Sequence, residues 1–155
     1  TPDPSMNGFS MKYSTQEIDI DLPQPFRDQT VNALLLGDGT LPSFNLVISR
    51  DVLPKHETLA GVVKKQIQVI SNQENFKEME PQRKRQIKVA DRPELEALEI
   101  FVRFKNGGNV IFQKHLYVLL DEKRLMIFVG TSRGLWEDKE TIRWNKLMDS
   151  VVVKP

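Results

Sequence analysis

The sequence contains no cysteine. Disulfides and thiolate metal sites are therefore excluded, which suits a reducing compartment. No stretch approaches the roughly 18 consecutive apolar residues that a membrane-spanning helix needs. Charge of one sign is also lacking: 22 Lys and Arg against 21 Asp and Glu leave a net charge of +1. That balance gives no general pull toward nucleic acid or membrane surfaces. Internal repeats and low-complexity linkers are absent. The opening stretch TPDPSMNGFSMKYS lacks the charged-then-apolar layout of a signal peptide. Met6 suits a natural start, with residues 1–5 an added remnant and residues 1–10 a flexible segment. The 155 residues are 39% hydrophobic and 28% charged, which predicts one globular domain over 11–155 able to bury a core.

Hydrophobic periodicity predicts an α+β fold, an antiparallel sheet of about six strands with two helices. In YSTQEIDIDLP, Ile18, Ile20 and Leu22 alternate with charges, as in a half-buried strand that Pro23 and Pro25 end. Thr30–Leu36 (TVNALLL) and Ser43–Asp51 (SFNLVISRD) read as antiparallel neighbours joined through GDGTLP. A helix is expected from Thr58, its N-cap, to Asn72. Its apolar stripe is Leu59, Val62, Val63, Ile67 and Ile70, with the polar Gln66 in the middle. A long antiparallel meander follows from Phe76. Its turns are Asp91–Arg92–Pro93, NGGN at Asn106–Asn109 and DEKR at Asp121–Arg124. EDKETIRWNKLMDSV reads as a second helix carrying Ile142, Leu147, Met148 and Val151.

Enzymatic chemistry finds no constellation. The two histidines, His56 and His115, have no carboxylate pair, HExxH spacing or GxSxG elbow with them. NGGN lies between strands and opens no helix, so it cannot form a phosphate cradle. QRKRQIK has acidic residues before it and no interleaved aromatics, so it reads as a solvated strand edge rather than a nucleic-acid patch. Trp136 and Trp144, at the last helix, read as core or dimer contacts. No enzyme activity, cofactor, metal or nucleic acid is expected.

SFNLVISRD carries the functional signal. Phe44, Leu46 and Ile48 form an ordinary core face, and the opposite face carries Asn45, Val47 and Ser49. Val31, Ala33 and Leu35 on the neighbouring strand extend that face. Gln66 on the helix and Gln113 or His115 from VIFQKHLYVLL can join it. The sum is an apolar surface with sparse, uncharged hydrogen-bonding groups. An unpaired buried amide costs about 1–3 kcal/mol, and an exposed apolar patch invites aggregation. Both costs vanish when an apolar partner brings its own polar groups. Membrane helices fit that description, since small and polar residues join them through hydrogen bonds worth about 0.6–2 kcal/mol. The competing account is an ordinary core whose polar groups are satisfied by backbone.

The segments DQTVNALLL and SFNLVISRD, followed by a helix with Gln66 on its apolar face, resemble the Eag (effector-associated gene) chaperones of bacterial type VI secretion over Met11–Val153. The resemblance implies a PsbP-like α+β sandwich and a cytoplasmic, non-enzymatic homodimer. It implies binding of the N-terminal transmembrane segments of effectors, often Rhs-type toxins with a PAAR domain, before their loading for export. The implied groove includes Val31, Ala33, Asn45, Val47, Ser49, Gln66 and Ile70. Leu35, Leu59, Val63, Gln113 and His115 complete the expected client-binding set. Asn45 stands where that family favours serine, and Ala33 where it favours a bulkier aliphatic. Gln113 and His115 both fit the later-strand glutamine position. A small-ligand or assembly-factor module on the same fold is the rival expectation. The absence of a signal or lipobox argues against its exported form.

Overall fold

A computed structural model describes residues 11–14, 17–23, 30–36, 44–90 and 92–154. A two-stranded ribbon pairs β1 (Met11–Ser14) with β2 (Asp19–Leu22). The main sheet has seven strands: β3 (Asn32–Leu36), β4 (Phe44–Val52), β5 (Glu74–Val89), β6 (Arg92–Asn106), β7 (Asn109–Leu119), β8 (Arg124–Arg133) and β9 (Val152–Val153). Their order is β3-β4-β8-β7-β6-β5-β9, antiparallel throughout except where β9 runs parallel to β5. The α+β class is as expected, but the sheet is larger than six strands. The two-residue β9 follows the last helix directly, too short for a periodic pattern to reveal.

Strands β5 to β8 form the expected meander. The first strands close it from the other end, since β4 pairs with β8 rather than with β5. Helix α1 (Leu59–Ile70) makes the connection between β4 and β5. Thr58 caps it, its Oγ1 accepting from the Gly61 N–H at 3.0 Å. Helix α2 (Asp138–Ser150) starts with a capping box in which the Glu137 N–H donates to Glu140 Oε2 at 2.9 Å. The NGGN hairpin is as read: Asn106 pairs with Asn109, and Gly107 and Gly108 both have positive φ. At DEKR, Asp121 accepts from the N–H groups of Lys123 and Arg124 and from Arg124 Nε. The Lys123 N–H, then Arg124, hold its carboxyl down to about 2.

The helices cover opposite faces. Trp144 and Met148 of α2 pack on Phe44, Leu46, Ala97, Leu116, Val118 and Phe128. Val63 and Ile70 of α1 pack on Ile100, Val102, Tyr117 and Leu125. Side chains alternate along a strand, so Tyr117 points to α1 while its neighbours Leu116 and Val118 point to α2. Gly130 permits the α2 layer to sit close: a Cβ there would lie 2.7 Å from Phe44 Cζ and 2.8 Å from Trp144 Cε3.

Several expectations change. Ile18 and Ile20 are exposed: among the described residues, β2, which starts just after Ile18, pairs with β1 and not with the main sheet. Arg92 belongs to β6, paired with Val89, so the hairpin turns before it. Arg85 of QRKRQIK is buried rather than solvated, with its guanidinium 2.8 Å from Glu99 and 2.9 Å from Asp149. Ile142 is exposed, whereas Trp144, two residues on and therefore on the opposite face of α2, is buried in the core. The GDGTLP connection, Asp91, Pro25 and residues 1–10 lie outside the described residues.

Candidate functional site

Strand register builds a surface on the α1 side. One row runs Ile100, His115, Val129, Val47 and Ala33 across β6, β7, β8, β4 and β3. A second runs Val102, Gln113, Thr131, Asn45 and Leu35. A third runs Leu98, Tyr117, Ile127 and Ser49. These rows hold no charged side chain. Asp51 lies one step beyond on β4 and Arg133 one step beyond on β8.

Helix α1 packs on β6 and β7. The same face of β3, β4 and β8 is left less covered. Leu35 is 61% exposed, Ala33 and Asn45 are exposed, and Val47, Ser49, Val129 and Thr131 are half-buried. Val31, just before β3, is 57% exposed. From β3 to β8 is two strand spacings, about 10 Å, close to the roughly 10–12 Å diameter of a helix with its side chains. One flank of α1 borders this trough. Val62, Gln66 and Val69 follow the i, i+4, i+7 spacing of one helix face, and they line a pocket with Asp51, Val52, Leu125 and the Glu57–Lys65 ion pair. Val69 is 63% exposed there.

The polar groups in the floor are connected. Tyr117 Oη lies 2.8 Å from His115 Nδ1, and His115 Nε2 lies 2.8 Å from Gln113 Oε1. Gln113 Nε2 donates to Thr131 Oγ1 at 3.2 Å. Burial pushes the His115 pKa down to about 4 and the Tyr117 pKa up. Both rings are therefore neutral near pH 7. Among the described residues no group of three His, Asp or Glu side chains is placed to hold a metal ion.

The face deduced from sequence thus exists as a continuous surface, but its members divide. Ala33, Leu35, Asn45, Val47, Ser49 and Gln113 share it, and Val31 adjoins it. Gln66 is exposed on the α1 flank and is not a core residue. Val63 and Ile70 are buried between α1 and the sheet, and Leu59 packs against the same cluster, so none of the three lines the open trough. His115, two residues along β7 on the same face as Gln113, is buried, whereas Gln113 is half-buried. Sequence reasoning missed Val129, Thr131 and Ile127 of β8, although LMIFVGTS was legible as a strand. Their place between β4 and β7 follows from a pairing some 80 residues distant in sequence. Tyr117 was missed as well. The i, i+2, i+4 spacing of Gln113, His115 and Tyr117 could have signalled it.

A solved structure from Pseudomonas aeruginosa, a protein of unknown function described as a candidate regulator, is similar to this chain. Its TM-score is 0.67 at 19% identity, over 96% of this chain and 99% of that one, a likeness of fold. Comparison with curated proteins finds no match. The DcrB family model matches residues 17–150. That range takes in both helices and every strand of the main sheet except β9, and the chain belongs to the DcrB family.

Proposed function

We propose that this protein is a non-enzymatic, cytoplasmic chaperone that holds an apolar helix of another protein against the trough. The client is the N-terminal transmembrane segment of a type VI secretion effector of the PAAR or Rhs type, kept from water until loading. The observation that carries this reading is the uncharged face running from β3 through β4 and β8 to Gln113 of β7, incompletely covered by α1 and about one helix wide. Sparse amides and hydroxyls on an apolar floor match what one membrane helix offers another. Among the described residues no helix of this chain is long and apolar enough to cross a membrane, so the apolar helix in this reading is the partner's.

Burial would supply most of the affinity, at about 25 cal/mol per Å² of apolar surface. A spanning helix is about 30 Å long, and one small domain covers only part of its circumference. The working unit in this reading is therefore a homodimer that clamps from two sides. Its PsbP-like sandwich assignment rests on the resemblance of the sequence segments.

Val47→Asp tests the reading, because a carboxylate at the centre of the trough would be desolvated without a partner whenever a client bound. The expected result is loss of pull-down of a co-expressed effector N-terminal fragment, with an unchanged urea unfolding midpoint for the free protein. Undiminished pull-down would remove the trough as the binding face. Loss of folding would return Val47 to the core.

A further inference from the structure

We propose that Tyr117, His115, Gln113 and Thr131 form a one-way hydrogen-bond chain that makes the Gln113–Thr131 part of the trough floor a donor surface, with His115 as the positioning residue. The helices it selects are then those carrying hydrogen-bond acceptors on an otherwise apolar face. The inference rests on the helix-holding reading above and deepens it.

The direction of the chain follows from its buried end. Both ring nitrogens of His115 are engaged, at 2.8 Å each. A neutral imidazole has one donor and one acceptor nitrogen, so the chain must run one way or the other. The Tyr117 hydroxyl is buried, and among the described residues its hydrogen-bond partner is His115 alone. Were His115 Nδ1 to donate to it, the phenolic hydrogen would be left in the interior without an acceptor, which is costly. Tyr117 therefore donates to Nδ1, and the ring proton resides on Nε2.

The remaining polarities are then forced. His115 Nε2–H donates to Gln113 Oε1, which fixes the amide with its NH₂ toward β8. That NH₂ donates to Thr131 Oγ1. Thr131 has accepted, so its own hydrogen is available, as is the second N–H of Gln113. Both groups are half-buried on the trough floor, in the row that continues to Asn45 and Leu35. Without the ring behind it a glutamine amide turns over at little cost and presents either end. With the ring it presents donors only. The partner chemistry is thus a side-chain oxygen on an apolar helix, as serine or threonine supplies.

The test uses the full chain and two lysine-flanked leucine–alanine helical peptides. They differ at one central position, O-methylserine against norvaline. These side chains have the same shape, and only the ether accepts a hydrogen bond. Tyr117→Phe keeps the ring and removes the hydroxyl that sets the direction. In the variant, the affinity ratio of ether to norvaline peptide is expected to fall about three- to tenfold, with norvaline-peptide affinity unchanged. Nitrogen-15 spectra of His115 in the parent should show Nε2 protonated and Nδ1 bare. A parent with Nδ1 protonated, or an unchanged ratio with both peptides bound, overturns the donor chain and leaves the helix-holding reading standing. Failure of the parent to bind either peptide overturns both.

Discussion

On the α2 side of the sheet, Trp144, Phe44 and Phe128 close the core, and the Arg85–Glu99 pair is buried within it. Arg85 bridges Glu99, Asn145 and Asp149, while Trp144 Nε1 donates to Glu99 at 2.6 Å. On the α1 side the helix covers β6 and β7 and leaves β3, β4 and β8 with half-buried valines beside an exposed asparagine. The same strands supply both faces, one residue apart. The α2 layer holds the largest packed cluster, although Leu34 on that face is 45% exposed. The less covered α1 face is where, in the proposed reading, an external partner would supply contacts. Ionic groups sort accordingly: a buried pair is tolerated where it is fully bonded, and the strand rows of the α1 face carry no charged side chain.

That contrast can be broken most severely at Arg85. Arg85→Met leaves Glu99 buried without its cation and is expected to cost about 3–5 kcal/mol, read as a lower urea midpoint. Trough binding per folded molecule should not change. A variant as stable as the parent would show that the pair contributes nothing to the sealed face.

Acid tests the α1 face. His115 is lowered from an ordinary 6.5 to about 4 by burial. The unfolded chain therefore takes up its proton first as pH falls. The stabilisation is complete above about pH 6.5, declines below it, and is lost as pH passes through about 4, a change on the order of 3 kcal/mol. Other groups titrate in the same window, so the measurement is a difference: His115→Gln should show a shallower loss of stability from pH 7 to 4 than the parent. Parallel curves would mean that His115 is not held neutral by burial.

A smaller effect is expected at Gly130. Gly130→Ala pushes a methyl against Phe44 and Trp144 and should destabilise by about 1–3 kcal/mol. Thermal unfolding with near-ultraviolet circular dichroism reads both the stability and the tryptophan packing. A melting temperature equal to the parent's would mean that the two rings have room to retreat.

The smallest change sharpens the boundary of the trough. Gln66 lies on the exposed flank of α1, so Gln66→Leu should leave unfolding nearly unchanged. Affinity for a client with a serine-bearing docking face should weaken about fivefold, or about 1 kcal/mol. An all-aliphatic client should show less loss, since the leucine adds apolar contact. Equal effects on both clients would place Gln66 outside the contact surface.

Much of the fold was legible because its signals are local. The alternation in SFNLVISRD, Thr58 ahead of an apolar helical stripe and NGGN between two strands each depend on neighbours a few residues away. The odd face of β4 was legible for the same reason, since two polar residues flanking Val47 violate the pattern of either a core or a solvent face. The errors arose where partners are remote. Ile18 and Ile20 alternate like buried residues, yet among the described residues β2 pairs with β1 and not with the main sheet. Arg85 reads as a surface cation, yet Glu99 and Asp149 surround it. On α1, Val63, Gln66 and Ile70 share one stripe, but only the angle at which the helix lies on the sheet separates the buried pair from the exposed amide.

By itself the sequence determined the α+β class, the absence of thiol chemistry and the uncharged character of one strand face, because composition and period-two alternation survive without knowledge of neighbours. The tertiary structure alone decided that β8 inserts between β4 and β7. That pairing brings Thr131 beside Gln113 and Asn45, and Val129 beside His115 and Val47. Backbone pairing between strands follows no sequence code comparable to side-chain periodicity. The choice is made by how the two faces pack when the whole sheet closes.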